Sequence, residues 1–284
     1  MAKLIALLDG SIYSQSVCDH AGWIAQRTGA AVELLHVLGR RETGSAPADL
    51  SGNITLGART ALLEELTSLD EQRAKLAQKR GRAILEDGQA RLEAAGTAAV
   101  TTKLRIGDVV ETVAEMEAGA DMIVVGKRGE AADFAKLHLG SNLERVVRSS
   151  HRPVVVAARA FKPIERFLLA YDGGTSAMKA ADYIARSELF AGLQCRLLNV
   201  GADNAETRRR LADAQAVLTA GGYRVNADIL PGQPDRVIAE AVEAEGIDLL
   251  VMGAYGHSRI RSLIIGSTTT EMIRSCRIPV MLFR

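Results

Sequence analysis

Leu249-Leu250-Val251-Met252 runs directly into Gly253-Ala254-Tyr255-Gly256, and nine residues later the chain reads Gly266-Ser267-Thr268-Thr269. Four apolar residues stopped by a glycine read as a short buried strand. The hydroxyl-rich segment reads as the start of a helix. In a parallel α/β sheet a strand feeding such a loop is one way to hold a phosphate, because backbone N–H groups and the positive end of a helix converge there. A tight strand exit followed by a Ser267 helix cap would look the same. The residues leave both readings open.

The chain carries this pattern twice. Met122-Ile123-Val124-Val125 leads into Gly126-Lys127-Arg128-Gly129, and ten residues later comes Gly140-Ser141-Asn142. Other segments repeat in the same order. Leu7-Leu8-Asp9-Gly10-Ser11 answers Ala170-Tyr171-Asp172-Gly173-Gly174-Thr175. Leu34-Leu35-His36-Val37 answers Leu197-Leu198-Asn199-Val200, and Arg152-Pro153-Val154-Val155-Val156 answers Arg277-Ile278-Pro279-Val280-Met281. Five matched elements in one order imply two homologous domains. A boundary at Ala160-Phe161-Lys162-Pro163-Ile164 gives domains 1–160 and 164–284. A chain of 284 residues with 48% apolar content is long enough for two cores.

Short apolar strands alternate with helix-length spans throughout. Strands are predicted near 3–8, 31–37, 100–105, 121–125 and 153–158, then near 166–171, 193–200, 224–230, 248–252 and 278–283. Helices are predicted over 14–28, parts of 56–95, 107–118, 141–150, 175–190, 204–220, 234–245 and 267–275. This alternation predicts an α/β fold with a mainly parallel sheet covered on both faces. Right-handed crossovers would bring the strand ends carrying Asp172 and Gly253 to one rim. The halves differ most in an expansion at about 39–95. There Leu62, Leu66, Leu69, Leu76, Ile84 and Leu92 give a charged helical stretch an interrupted apolar face. An extra helix or hairpin packed on its own domain, a lid and a partner-binding surface all fit it.

Composition excludes several classes. A net charge of +1 argues against nonspecific nucleic-acid binding through a basic surface. There is no run of 18 apolar residues to suggest a membrane span and no secretory cleavage pattern, so the expected location is cytoplasmic. Cys18, Cys195 and Cys276 are too few and too scattered for a metal motif or a disulfide framework. His20, His36, His138, His151 and His257 have no metal-ligand spacing, and His36, ending an apolar strand, reads as structural. Neither a Gly-x-x-x-x-Gly-Lys-Ser/Thr loop nor His-Glu-x-x-His is present. The sequence nominates no catalytic residue and leaves enzymatic activity undecided.

Together, Asp9 and Asp172, the two glycine loops and the terminal Pro-Val strands make the chain resemble a tandem universal stress protein. The resemblance covers nearly the whole chain apart from the expansion. It implies two Rossmann-like/flavodoxin-like three-layer domains, each with a five-stranded parallel sheet of order 3-2-1-4-5. One branch of the family binds ATP or a related adenine nucleotide; another lacks the loop and does not. Carried onto the second domain, the pattern implies adenine near Asp172 and Val200, with Gly173, Thr175 and Met252 around it. It implies ribose and phosphates near Gly253, Gly256, Gly266, Ser267, Thr268 and Thr269, with His257, Ser258 and Arg259 able to add contacts. Mg2+ or Mn2+ would accompany the phosphates without a protein-built metal site.

The first domain implies a second nucleotide site at Asp9, Val37, Gly126, Gly129, Gly140, Ser141 and Asn142, but a weaker one. Its loop is one residue longer, and Glu130 and Asp133 bring negative charge toward the phosphate position. Lys127, Arg128, Lys136 and His138 could offset that charge. The expected function is a nucleotide-binding stress-response protein acting through conformation or through an unknown protein partner. The alternatives are a nucleotide-independent interaction module and a weak ATP hydrolase. The resemblance also implies intrachain pairing of the domains through the last strands, and leaves room for a homodimer.

Overall fold

The computed structural model describes residues 2–39, 56–127, 141–254 and 267–284, with side chains from 62, 142 and 268 onward in the last three spans. In the first half, β1 (Lys3–Leu7), β2 (Ala31–Leu38), β3 (Val100–Ile106), β4 (Met122–Gly126) and β5 (Val154–Ala157) alternate with α1 (Ser14–Thr28), α2 (Leu56–Ala94), α3 (Val109–Met116) and α4 (Ser141–Ser149). In the second half, β6 (Arg166–Ala170), β7 (Gln194–Val200), β8 (Val225–Leu230), β9 (Leu249–Gly253) and β10 (Val280–Phe283) alternate with α5 (Thr175–Arg186), α6 (Ala205–Ala220), α7 (Pro234–Ala244) and α8 (Ser267–Ser275).

All ten strands form one mixed sheet, ordered β3-β2-β1-β4-β5-β10-β9-β6-β7-β8. The first half has the expected 3-2-1-4-5 order. Neighbours within each half are parallel, whereas β5 and β10 pair antiparallel, with Val156 opposite Val280 and Val154 opposite Leu282. Every residue of these two central strands is buried, as their unbroken apolar runs require of strands covered on both faces.

Alternation along each strand divides the apolar side chains between two layers. Leu4, Ala6, Val155, Phe167, Leu169 and Met281 face α1, α2, α5 and α6, meeting Val17, Ile24, Leu92, Ala180, Ile184 and Leu218. Ile5, Ile123, Val156, Leu168, Leu250 and Leu282 face the other way, toward Val113, Val146, Ile238 and Met272. Each layer runs through the β5–β10 junction without a break. Side chains reinforce that junction. Arg27 donates to the carbonyls of Leu189 (2.6 Å) and Ala191, Lys127 to that of Cys276 (2.7 Å), and Arg284 to that of Arg148.

Two local outcomes differ from the periodicity. The helix expected over 175–190 ends at Arg186, because Ser187 turns extended and its hydroxyl caps a short 3-10 turn at Glu188–Phe190. The interrupted stretch in the expansion is one unbroken helix of 39 residues, about 58 Å long at 1.5 Å per residue. Its internal glycines let it lie close to its own half. A Cβ at Gly81 would come within 2.8 Å of the His36 ring, and one at Gly88 within 2.6 Å of Leu8.

All three cysteines are free and buried, and burial pushes their thiols up to about 12 at Cys18 and Cys195 and about 11 at Cys276. Among the described residues, no helix is long and apolar enough to cross a membrane.

Glu33, on β2, is 5% exposed and bridges Lys3 on β1 (2.8 Å) and Lys103 on β3 (2.9 Å). Burial alone would raise its carboxyl, but the two ammonium groups outweigh that and hold it below its usual 4.5. A lowered folded value gives stability that is present above the unfolded value and is lost as pH falls through the folded one. Glu33→Gln should therefore cost about 1.5–3 kcal/mol at neutral pH and flatten the acid limb of stability. Urea unfolding from neutral to acid pH measures both; equal acid slopes for the two proteins would refute the assignment.

Candidate functional site

Strands β7, β6 and β9 are adjacent and parallel, with Ala170 level with both Leu198 and Met252. Their carboxyl ends therefore bring Val200, Asp172 and Gly253 to one rim although they are far apart in sequence. Tyr171 ends the buried run of β6, and the chain then turns at Asp172 and Gly173. Gly173 has φ +78°, a left-handed backbone that side chains disfavour, and its counterpart Gly10 has φ +77°. Asp172 Oδ1 accepts the Gly174 N–H (2.8 Å), which fixes the turn into α5. Its other carboxylate oxygen has no partner among the described residues, and the side chain is exposed. Thr175, the first residue of α5, is exposed beside it.

A polar clamp behind the turn escaped the sequence reading. Asn199, 7% exposed in β7, donates from Nδ2 to the Tyr171 carbonyl at 2.7 Å. In the first half His36 makes the equivalent contact, Nδ1 to the Leu8 carbonyl at 2.6 Å. Each clamp fixes the carbonyl immediately before the aspartate. The legible signal was a polar residue directly after a Leu-Leu pair and before a valine, at matching positions in the two copies (Leu34-Leu35-His36-Val37 and Leu197-Leu198-Asn199-Val200). His36 is structural, as expected. Asn199 Oδ1 is buried without a hydrogen-bond partner among the described residues.

At the exit of β9, Met252 is buried and Gly253 lies against the first turn of α5. A Cβ there would sit 3.1 Å from Ser176 Cβ and 3.2 Å from the Ala177 nitrogen. The glycine thus has a packing role whatever else it does. Ala254 N–H donates to the Phe283 carbonyl (2.7 Å), and the Ala254 carbonyl accepts from the Thr269 hydroxyl (3.3 Å). Thr269 is 3% exposed, so its hydroxyl ties the start of α8 to the end of β9. Thr268, one residue earlier, is half-buried. Gly256, His257, Ser258, Arg259 and Gly266 lie outside the described residues, and of Ser267 only the place at the head of α8 is described.

The first half brings Asp9, Val37 and Gly126 to its own rim in the same way. Its turn is more fully self-bonded. Asp9 Oδ1 accepts from the Ser11 N–H (3.0 Å) and the Ser14 hydroxyl (3.3 Å). Helix α2 covers this turn, with Ile84 Cδ1 2.7 Å from where a Gly10 Cβ would stand. A cleft of about 320 Å³ lies between α1 and α2, lined by Leu8, Ser14, Arg80, Asp87 and Arg91 among others. Lys127, expected near phosphates, spans to the Cys276 carbonyl. Asn142 is exposed on α4, and Gly129 and Gly140 lie outside the described residues, as does the Ser141 side chain. Because β5 and β10 are antiparallel, the two rims lie at opposite ends of the strands. Among the described residues no group of three or more His, Cys, Asp or Glu side chains could hold a metal ion.

Comparison with known proteins agrees along the full length. A universal stress protein of Synechocystis sp. is 36% identical over 287 residues, covering 100% of each chain. One from Thermus aquaticus is 34% identical over 134 residues, 41% of this chain and 96% of that one. The crystal structure of a universal stress protein from Archaeoglobus fulgidus has the same fold, with TM-score 0.75 at 22% identity, covering 99% of this chain and 97% of that one. The profile described as "Universal stress protein family" matches residues 1–158 and again 163–284. The chain belongs to the universal stress protein family.

Proposed function

We propose that this chain is an adenine-nucleotide-binding stress-response protein, with ATP held by its second domain, 164–284. The observation that carries this reading is the convergence of Val200, Asp172 and Gly253 on one rim, with the head of α8 tied to the exit of β9. The unpaired Asp172 oxygen suits an amino or ribose hydroxyl donor, and half-buried Val200 with Met252 suits the face of a base. Phosphates would sit between Gly253, Gly256, Gly266, Ser267 and Thr268 at the head of α8, where N–H groups and the helix dipole favour negative charge. Thr269 contributes by fixing that helix rather than by touching ligand. Mg2+ or Mn2+ would arrive with the phosphates.

Occupancy would act by altering the rim that a protein partner meets. We assign the first domain no comparable site: Lys127 is engaged with Cys276, and Glu130 and Asp133 add negative charge to its loop.

Gently purified chain should release ATP on denaturation in proportion to one site per chain, read by chromatography and mass spectrometry. Two equivalents would refute the asymmetry. Gly266→Asp places a charge and a Cβ in the phosphate cradle and should abolish retention in a folded protein; retention of ATP at wild-type level would refute the pose. Asn199→Leu removes the clamp on the Tyr171 carbonyl and leaves it unsatisfied, costing about 1–3 kcal/mol of stability. Because Asp172 then loses its fixed turn, ATP affinity should fall in calorimetric titration as well. Loss of stability with unchanged affinity would separate Asp172 from the ligand.

A further inference from the structure

Helix α2 is longer than its half of the sheet. Gly81 lies against His36 near the end of β2, Gly88 against Leu8 and Leu34, and Leu92 against Gly22. Each step toward the start of the helix is thus a step toward the rim. From Leu62 to Leu76 no residue is buried, so about four turns, some 22 Å, project past the strands as an arm.

That arm is unusually apolar for an exposed helix. Of the seven exposed large apolar residues among the described ones, four are Leu62, Leu63, Leu69 and Leu76, the last 65% exposed. Leu62, Leu66, Leu69 and Leu76 stand at intervals of four, three and seven, with Arg73 at the position that would complete the series. These are the intervals of a two-stranded coiled-coil seam, and one charged seam position is a known means of fixing register.

The charges along the arm identify its partner. Residues 62–71 carry Glu64, Glu65, Asp70 and Glu71 and no base; residues 72–82 carry Arg73, Lys75, Lys79, Arg80 and Arg82 and no acid. Laid parallel, two copies would set acid on acid and base on base. Laid antiparallel, the acidic half of each meets the basic half of the other. Exposed ion pairs add little affinity, but like-charge contact selects strongly against the wrong orientation. The leucines supply the attraction and the charges supply the direction.

We propose that the arm at 62–82 is a self-association surface, joining two copies of this chain in an antiparallel helix pair about a two-fold axis. The contact is isologous and closes at two copies.

The intact chain should sediment at twice its 30.3 kDa, and because apolar burial supplies the attraction the dimer should persist as salt rises. Leu69→Glu with Leu76→Glu, both at exposed positions, should give a monomer that melts like the wild type. A predominantly acidic arm (Arg73→Glu, Lys75→Glu, Lys79→Glu, leaving Arg80 and Arg82) and an all-basic arm (Glu64→Lys, Glu65→Lys, Asp70→Lys, Glu71→Lys) should each be monomeric alone and dimeric when mixed. The proposal is overturned by a monomeric wild type, whatever then covers the arm. It is equally overturned by a dimer that survives the leucine changes, by self-pairing of either charge variant at wild-type strength, or by a mixture that stays monomeric.

Discussion

Everything in this molecule hangs on three residues of β5 paired with three of β10. A five-stranded sheet that ended at Val154–Ala157 would present an apolar edge with unpaired backbone groups, a template for uncontrolled strand addition. The chain closes that edge with its own second copy. Both apolar layers then run through the junction, so Val155 and Met281 belong to one core and Val156 and Leu282 to the other. Fully burying a side chain of this size stabilises by about 1.5–3 kcal/mol, so the two short strands contribute far more as one interior than as two edges. The antiparallel sense of the pairing also turns the two rims away from each other, so no single ligand can span them. Any communication between them has to pass through the junction and its brackets, Arg27 on Leu189 and Lys127 on Cys276.

The halves share one way of building a rim. A buried strand ends, the next strand's His36 or Asn199 fixes its last carbonyl, an aspartate closes the turn on its own backbone, and a glycine with positive φ lets the chain enter the helix. The two versions have since separated. In the first, α2 lies over Gly10, and the loop lysine is spent on the junction. In the second, Arg210 lies close to Gly173, and one Asp172 oxygen has no partner among the described residues. The same backbone scaffold thus carries two hydrogen bonds on its aspartate in the first half and one in the second, among the described residues.

Much of this was legible in the sequence because it rests on local patterns. Runs such as Leu249–Met252 and Val154–Val156 announce strands buried on both faces, and the repeated Asp-Gly announces the turn. Other features depend on what a residue meets in space. Gly81 and Gly88 look like helix breakers until the sheet is seen to fill the room they leave, so α2 is continuous where propensity suggests interruption. Ser187 ends α5 early through a cap that competes with an apolar continuation. Thr269 resembles a ligand hydroxyl in sequence, yet its burial and its bond to Ala254 make it a strut. Asn199 was hidden because it is one of several polar residues in β7 and follows no period; only its alignment with His36 exposes it.

Joining two copies in one chain has a consequence for valence. A symmetric pair of identical subunits must build every projection twice. Here the extended helix occurs once, in the first half. Had both halves carried such an arm, each particle would offer two sticky ends, and association through them could propagate into open chains. With a single arm per chain, the number of links each molecule can make through it is fixed at one, and growth through that surface stops with the first.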